Sequence, residues 1–98
     1  MTEEEIRHAL KFVKDPEVGV NIVDLGLVYA VDIQPDTVDI QMTMTSPTCP
    51  LHAVITRNVE NTIRAKFQQA RYVNIDLVWD PPWDPSMMSP KARQVLGG

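Results

Sequence analysis

The stretch from Val38 to Thr45 constrains this chain most, because its alternation is unbroken. Val38, Ile40, Met42 and Met44 fall on one side, and Asp39, Gln41, Thr43 and Thr45 on the other. That is the period of a half-buried β-strand. Such a strand belongs in a sheet with one face covered and the other wet or used for binding. The cover is to be found in the flanking sequence. Ile6, Ala9, Leu10 and Val13 precede the strand at helical spacing, and Leu51, Val54, Ile55, Val59, Ile63 and Phe67 follow it in the same way. The pattern points to an α/β (α+β) domain.

The remaining elements fill in around this strand. Thr2 and Glu5 stand in capping-box spacing at the start of the first helix. Pro16 disfavours helix at Asp15, so that helix is predicted to end near Lys14. The run from Val20 to Ile33 carries a strand in which Leu27, Tyr29, Val31 and Ile33 alternate with Val28, Ala30 and Asp32, and Gly26 marks a bulge or kink. Gln34 to Thr37 reads as a turn, which makes the two strands an antiparallel hairpin. The second helix opens at Pro50, where a missing N–H costs nothing. A third strand runs from Tyr72 to Trp79, and the proline-rich segment from Asp80 to Pro85 follows it. A last helix starts near Ser86 or Ser89, with Val95 and Leu96 on its apolar side and Gly97 as its stop. The order is α-β-β-α-β-α: a small, mixed three-stranded sheet with packed helices. Periodicity leaves open whether the third strand pairs with the first or the second.

Length suits one domain over residues 1–98. With 44% hydrophobic and 22% charged residues the composition is that of a chain able to form a core. A single cysteine allows no intramolecular disulfide, which points to a reducing, cytoplasmic compartment. The start is acidic (Glu3, Glu4, Glu5), unlike a signal peptide, and no apolar run approaches the ~20 residues of a membrane helix. A net charge of −4 and a pI near 4.9 repel phosphate backbones, so neither nucleic acid nor a membrane is the expected partner.

The chemistry centres on Cys49. It stands between Pro47 and Pro50 at the predicted start of the second helix, where free backbone N–H groups favour a thiolate. A thiolate binds soft metals or attacks electrophiles. One cysteine does not complete a site, since an iron–sulfur cluster or a closed zinc centre ordinarily takes four ligands. A cluster held here would be shared across a dimer, completed by a partner, or capped by small thiols. Asp15 and Glu17 read either as turn chemistry after the first helix or as carboxylates facing Cys49. Thr45, Ser46 and Thr48 could orient a thiolate or cap the helix, whereas exposed strand-face polarity accounts for Thr43. His8 falls on the solvated side of its helix. His52 lacks the third group a Cys–His dyad needs, so a thiol enzyme is not the expectation. Trp79 reads as structural. Trp83 and Met88, beside the proline run, form a candidate partner surface.

Four stretches carry a resemblance when taken together and in order. They are Asp15-Pro16-Glu17-Val18; Asn21 to Tyr29; Met42-Thr43-Met44-Thr45-Ser46-Pro47-Thr48-Cys49-Pro50; and Trp79-Asp80-Pro81-Pro82-Trp83 with Met88-Ser89. They resemble the SufT/PaaD-like family, which includes metal–sulfur assembly factors related to the eukaryotic cytosolic iron–sulfur targeting subunit. The resemblance covers nearly the whole chain. It implies a small α/β domain that serves iron–sulfur cluster assembly or delivery, together with assembly machinery and client apoproteins, and not as a free-standing enzyme. The family's reactive cysteine matches Cys49, its acidic turn Asp15 and Glu17, and its hydroxyl pair Thr45 and Ser46. Any cluster would be transient, with Cys49 as a ligand shared between chains, which requires a homodimer or a partner.

PaaD-type members carry a cysteine-bearing tail that this chain lacks, which favours the SufT-like branch over a maturation factor for a phenylacetyl-CoA oxygenase. The competing reading is an adaptor that binds no metal and docks clients through the Trp83 and Met88 region.

Overall fold

The structure, a computed structural model, describes residues 1–45 and 52–96. The expectations for Ser46, Thr48, Cys49, Pro50, Leu51 and Gly97 lie outside the described residues. Helix α1 spans Glu3–Leu10, and Thr2 caps it by accepting the Glu5 N–H at 3.1 Å through its hydroxyl. It stops at Leu10, short of the Lys14 expected from the position of Pro16. The reason is that the next residues pair elsewhere. The Val13 carbonyl accepts from the Ile22 N–H at 2.9 Å, Lys14 forms an isolated bridge with Asn21, and the Asp15 N–H donates to the Val20 carbonyl at 3.0 Å. Residues 13–22 thus close an antiparallel turn, with Gly19 at φ +75°.

Strands β1 (Val28–Ile33), β2 (Thr37–Met42) and β3 (Tyr72–Leu77) form one sheet in the order β1-β2-β3. β1 and β2 pair antiparallel, with Val31 opposite Ile40, and the register slips between Val28 and Ala30. Gly26 is not that bulge. It sits just before the strand at φ +81°, its N–H donating to the Val23 carbonyl. β3 joins β2 in parallel, with Val38, Ile40 and Met42 beside Val73, Ile75 and Leu77. A parallel neighbour requires a crossover, and helix α2 (His52–Lys66) supplies it. The partner of the third strand, left open by periodicity, is therefore the central strand.

The helices pack on β1 and β3 respectively and on each other, so they meet over β2. Under that seam Val38, Ile40 and Met42 are buried with Ile6, Leu10, Ile55, Val59 and Ile63 in one core. Val54 does not share the stripe of α2 and is 49% exposed. The opposite sheet face is uncovered: Ala30, Asp32, Gln41, Tyr72, Asn74 and Asp76 are exposed. No helix of the described residues is long and apolar enough to cross a membrane.

Beyond β3 the chain runs as a strap across residues 24–29. Trp79 lies past the last strand residue and is exposed, contrary to the structural role expected of it. Hydrogen bonds tie the strap down, among them those from the Tyr29 hydroxyl to the Pro81 carbonyl at 2.8 Å, from the Trp83 indole N–H to the Leu25 carbonyl at 2.7 Å, and from the Ser89 N–H to the Asp24 carbonyl at 2.7 Å. A short 3₁₀ turn, Pro85–Met87, precedes helix α3, Pro90–Val95. Ser89 caps α3, accepting the Ala92 N–H through its hydroxyl at 3.2 Å. The buried residue of α3 is Ala92, whereas Val95 and Leu96, expected to face inward, are exposed. In a helix this short only one position reaches the core.

Candidate functional site

Asp15 is the best-defined member of the candidate set. Its carboxylate is fully buried, unusual for an aspartate. One oxygen, Oδ1, accepts the Glu17 N–H at 2.9 Å, and the Asp15 carbonyl accepts from Gly19 at 2.7 Å. This is an Asx turn, so the local reading of Asp15-Pro16-Glu17 is correct as far as it goes. It leaves a remainder, because the second oxygen, Oδ2, is buried and has no hydrogen-bond partner among the described residues. Glu17 itself is exposed at the tip of the turn.

The acidic turn is coupled to the carboxyl end of the central strand by backbone rungs. Ile22 donates to Val13 at 2.9 Å, Leu27 to Ile22 at 3.0 Å, and Thr43 to Leu27 at 2.8 Å. The sequence leads from there through Thr45, which is half-buried, toward Cys49 and α2. In sheets with parallel strands, ligands gather beyond the carboxyl ends of those strands. β2 and β3 are the parallel pair here, and Cys49 falls between the end of β2 and the start of α2 in the chain.

Thr43 was overlooked. Alternation puts it on the wet face, yet it is fully buried, and among the described residues its hydroxyl has no hydrogen-bond partner. The ladder of β2 ends at Met42, whose carbonyl accepts from Val78 at 2.8 Å, and Leu27 lies against Thr43 on the other side. Period-two alternation holds only where the sheet has an open face, and past Met42 both sides are covered. No sequence pattern signals that change.

Trp83 and Met88 are half-buried against the core and hold the strap in place. His8 is exposed, with its ring edge-on to Phe12 at 6.3 Å, and the Lys66 ammonium lies 4.4 Å over the Phe12 ring. Asp24 also went unmarked in the sequence. Hydrogen bonding from Asn21 holds its carboxyl below the usual aspartate range; burial opposes this, and Ser89, Lys11 and Lys91 assist it. Asn21 Nδ2 donates to Asp24 Oδ2 at 2.6 Å and Asn21 Oδ1 accepts the Asp24 N–H at 2.9 Å, a closed pair under the strap. Among the described residues no group of three His, Cys, Asp or Glu side chains is placed to hold a metal.

Comparison with known proteins gives a concordant result. Residues 3–90 match the profile of the iron–sulfur cluster assembly protein family. The chain is 43% identical to the Fe-S protein maturation auxiliary factor YitW of Bacillus subtilis, over 97% of this chain and 93% of that one. It is 41% identical to a protein of the same description from Porphyromonas gingivalis, over 98% and 91% of the two chains. It is also 41% identical to the auxiliary factor SufT of Staphylococcus aureus, over 85% and 94%. Among solved structures, a domain of unknown function from Bacillus anthracis superposes with a TM-score of 0.93 at 38% identity, covering 97% of this chain and 91% of the other. A conserved hypothetical protein of Thermotoga maritima gives 0.85 at 41% identity, covering 100% and 96%. The resemblance first read from the acidic turn, the Met42–Pro50 stretch and the tryptophan–proline segment thus extends along the fold, and the chain belongs to the iron–sulfur cluster assembly protein family.

Proposed function

We propose that this protein is an iron–sulfur cluster assembly or delivery factor that acts with partner proteins through Cys49. The observation that carries the reading is the family match over residues 3–90, together with near-full-length relatives described as Fe-S protein maturation auxiliary factors. The cluster is cargo. One cysteine per chain leaves most iron coordination to be supplied from outside, by a second copy, by assembly machinery, or by the client that receives the cluster. Delivery is then thiolate exchange at iron: a client thiolate binds as the Cys49 thiolate leaves, with no net electron transfer. That is a carrier's step, and the protein is not an enzyme in this reading. In this reading Asp15, Glu17, Thr45 and Ser46 are the companions of Cys49 and serve to position the thiolate or the cargo. The cytoplasm, with its reduced thiols, is the fitting compartment.

Anaerobic reconstitution with iron and sulfide tests this, with Cys49→Ala beside the wild type on a sizing column. Visible absorbance and iron per chain that depend on Cys49 and travel with a dimer support a bridged cluster. If both proteins stay colourless, and Cys49→Ala still matures client enzymes in cells, the cysteine-centred reading is wrong. The adaptor reading would then stand; the exposed Trp79, Met87, Val95 and Leu96 of the strap favour it as the second choice.

A further inference from the structure

Helix α3 has an outer edge that the fold does not use. Val95 is 66% and Leu96 40% exposed. Between α3 and the turn of residues 13–22 runs a groove of about 200 Å³, with Lys14 and Val20 on one side, Lys91 and Val95 on the other, and Asp24 and Asn21 also in its lining. Lys14 and Lys91 are exposed and, among the described residues, make no ion pair. Lys11 is close enough to act on Asp24 together with Lys91. The groove lining therefore carries two lysines, Lys14 and Lys91, to one carboxylate that Asn21 already holds, in a protein whose net charge is −4. The walls are fixed in place by the Ser89–Asp24 and Trp83–Leu25 hydrogen bonds and by the Lys14–Asn21 bridge. A preformed groove loses little conformational entropy when it is filled.

We propose that this groove is a docking surface for an acidic segment of a partner protein. The partner's carboxylates meet Lys14 and Lys91, and its apolar side chains lie on Val95 and Leu96. The proposal rests on the reading that the protein works with partners, and it places the contact on α3 and not on the half-buried Trp83 and Met88. Charge complementarity selects the occupant. A second copy docked about a two-fold axis would set this lining, two lysines to one carboxylate, against its like, leaving net positive charge on both sides. An anionic membrane would attract the lysines too, but the groove is concave and a flat surface does not enter it.

The test is an amide NMR titration of the full chain with a short synthetic peptide of glutamates interspersed with leucines. Its controls are the same peptide with lysines for glutamates, and vesicles containing phosphatidylserine. Shifts gathered at Lys14, Val20, Lys91 and Val95 are expected, with an affinity that falls by roughly tenfold or more in K14E/K91E and in Val95→Ser and weakens with salt. All three positions are exposed, so the variants are expected to keep the wild-type dispersion of amide shifts, which the same spectra check. Shifts elsewhere, equal binding of the lysine peptide, stronger binding of vesicles, or a dimer that Val95→Ser dissolves would each overturn the proposal. Cys49→Ala separates it from the cluster reading. That variant should bind the peptide as the wild type does even where it fails to assemble a cluster, and loss of peptide binding in it would count against a separate surface.

Discussion

Replacing Gly26 by alanine should loosen the strap without touching the sheet, and Gly19 supplies the control. Both glycines have positive φ, +81° and +75°. An L-residue there costs roughly 1 kcal/mol or somewhat more. At Gly19 nothing lies within 4 Å of the added Cβ, so the backbone term stands alone. At Gly26 the added Cβ would overlap the Met87 carbonyl oxygen and stand 2.9 Å from the Met87 Cβ. Backbone cannot yield locally, so the strap must move. Its movement puts at risk the Trp83–Leu25 and Ser89–Asp24 hydrogen bonds, each worth about 1 kcal/mol. Gly26→Ala is therefore expected to cost about 3–4 kcal/mol and Gly19→Ala about 1. In a domain of this size the difference is on the order of 10 °C in Tm. Both tryptophans, Trp79 and Trp83, lie on the strap, so fluorescence follows the strap while far-UV circular dichroism follows helices and sheet. Gly26→Ala should show red-shifted emission before the dichroism signal is lost. Equal losses in the two variants, with unchanged emission, would refute the argument that Gly26 is there to let Met87 approach.

Other variants probe the core and the buried polar groups. Ile40→Ala removes a fully buried side chain from the central strand and should cost about 2–5 kcal/mol in urea unfolding. Thr43→Val keeps the shape but deletes the unpartnered hydroxyl; a gain of roughly 1 kcal/mol is expected, and a loss would mean that the hydroxyl has a structural partner. Asp15→Asn keeps an acceptor for the Glu17 N–H, so client maturation should fall in cells while the unfolding midpoint changes little. Because the Asp24 carboxyl lies below its ordinary range, its contribution is present above the unfolded value of about 3.9 and lost as pH falls through the folded one. Asp24→Asn should flatten that acid limb in urea midpoints measured from neutral pH downward, and an unchanged limb would show that the Asn21 pair does not stabilise the fold.

Much of the fold was legible because two periods dominate the sequence. The stripe of Ile6, Ala9, Leu10 and Val13 and the alternation of Val38, Ile40 and Met42 both mark buried faces correctly. The errors fall where an element ends. Pro16 suggested helix to Lys14, but long-range pairing of Val13 with Ile22 overrode the local preference. Trp79 continues the alternation of the third strand, and Val95 and Leu96 give the last helix an apolar side, but each lies past the last position its element buries. For the candidate site, residue identity singled out Asp15, Glu17, Thr45, Ser46 and Cys49; the structure shows the turn that holds Asp15 and Glu17, while Ser46 and Cys49 lie outside the described residues. Thr43 and the groove at α3 were not, because burial past the end of a ladder and the meeting of Lys14 with Lys91 are tertiary facts.

The buried polar atoms bear on why such a domain tolerates avoidable cost. Asp15 Oδ2 and the Thr43 hydroxyl are both buried and unpartnered, each at a penalty of roughly 1–3 kcal/mol, in a fold whose margin is expected to be about 5–15 kcal/mol. Turn geometry accounts for Oδ1 alone, and asparagine would serve it as well. Packing accounts for the Thr43 methyl alone, and valine would serve that. What remains in each case is an oxygen with no structural use. The two residues stand at opposite ends of the rungs that run from Val13 through Ile22 and Leu27 to Thr43. Neither oxygen is explained by stability, and Asp15→Asn and Thr43→Val test whether either has another use. If both substitutions leave client maturation unchanged while Thr43→Val gains stability, the two oxygens carry no function; a fall in maturation without a fall in stability would assign them one.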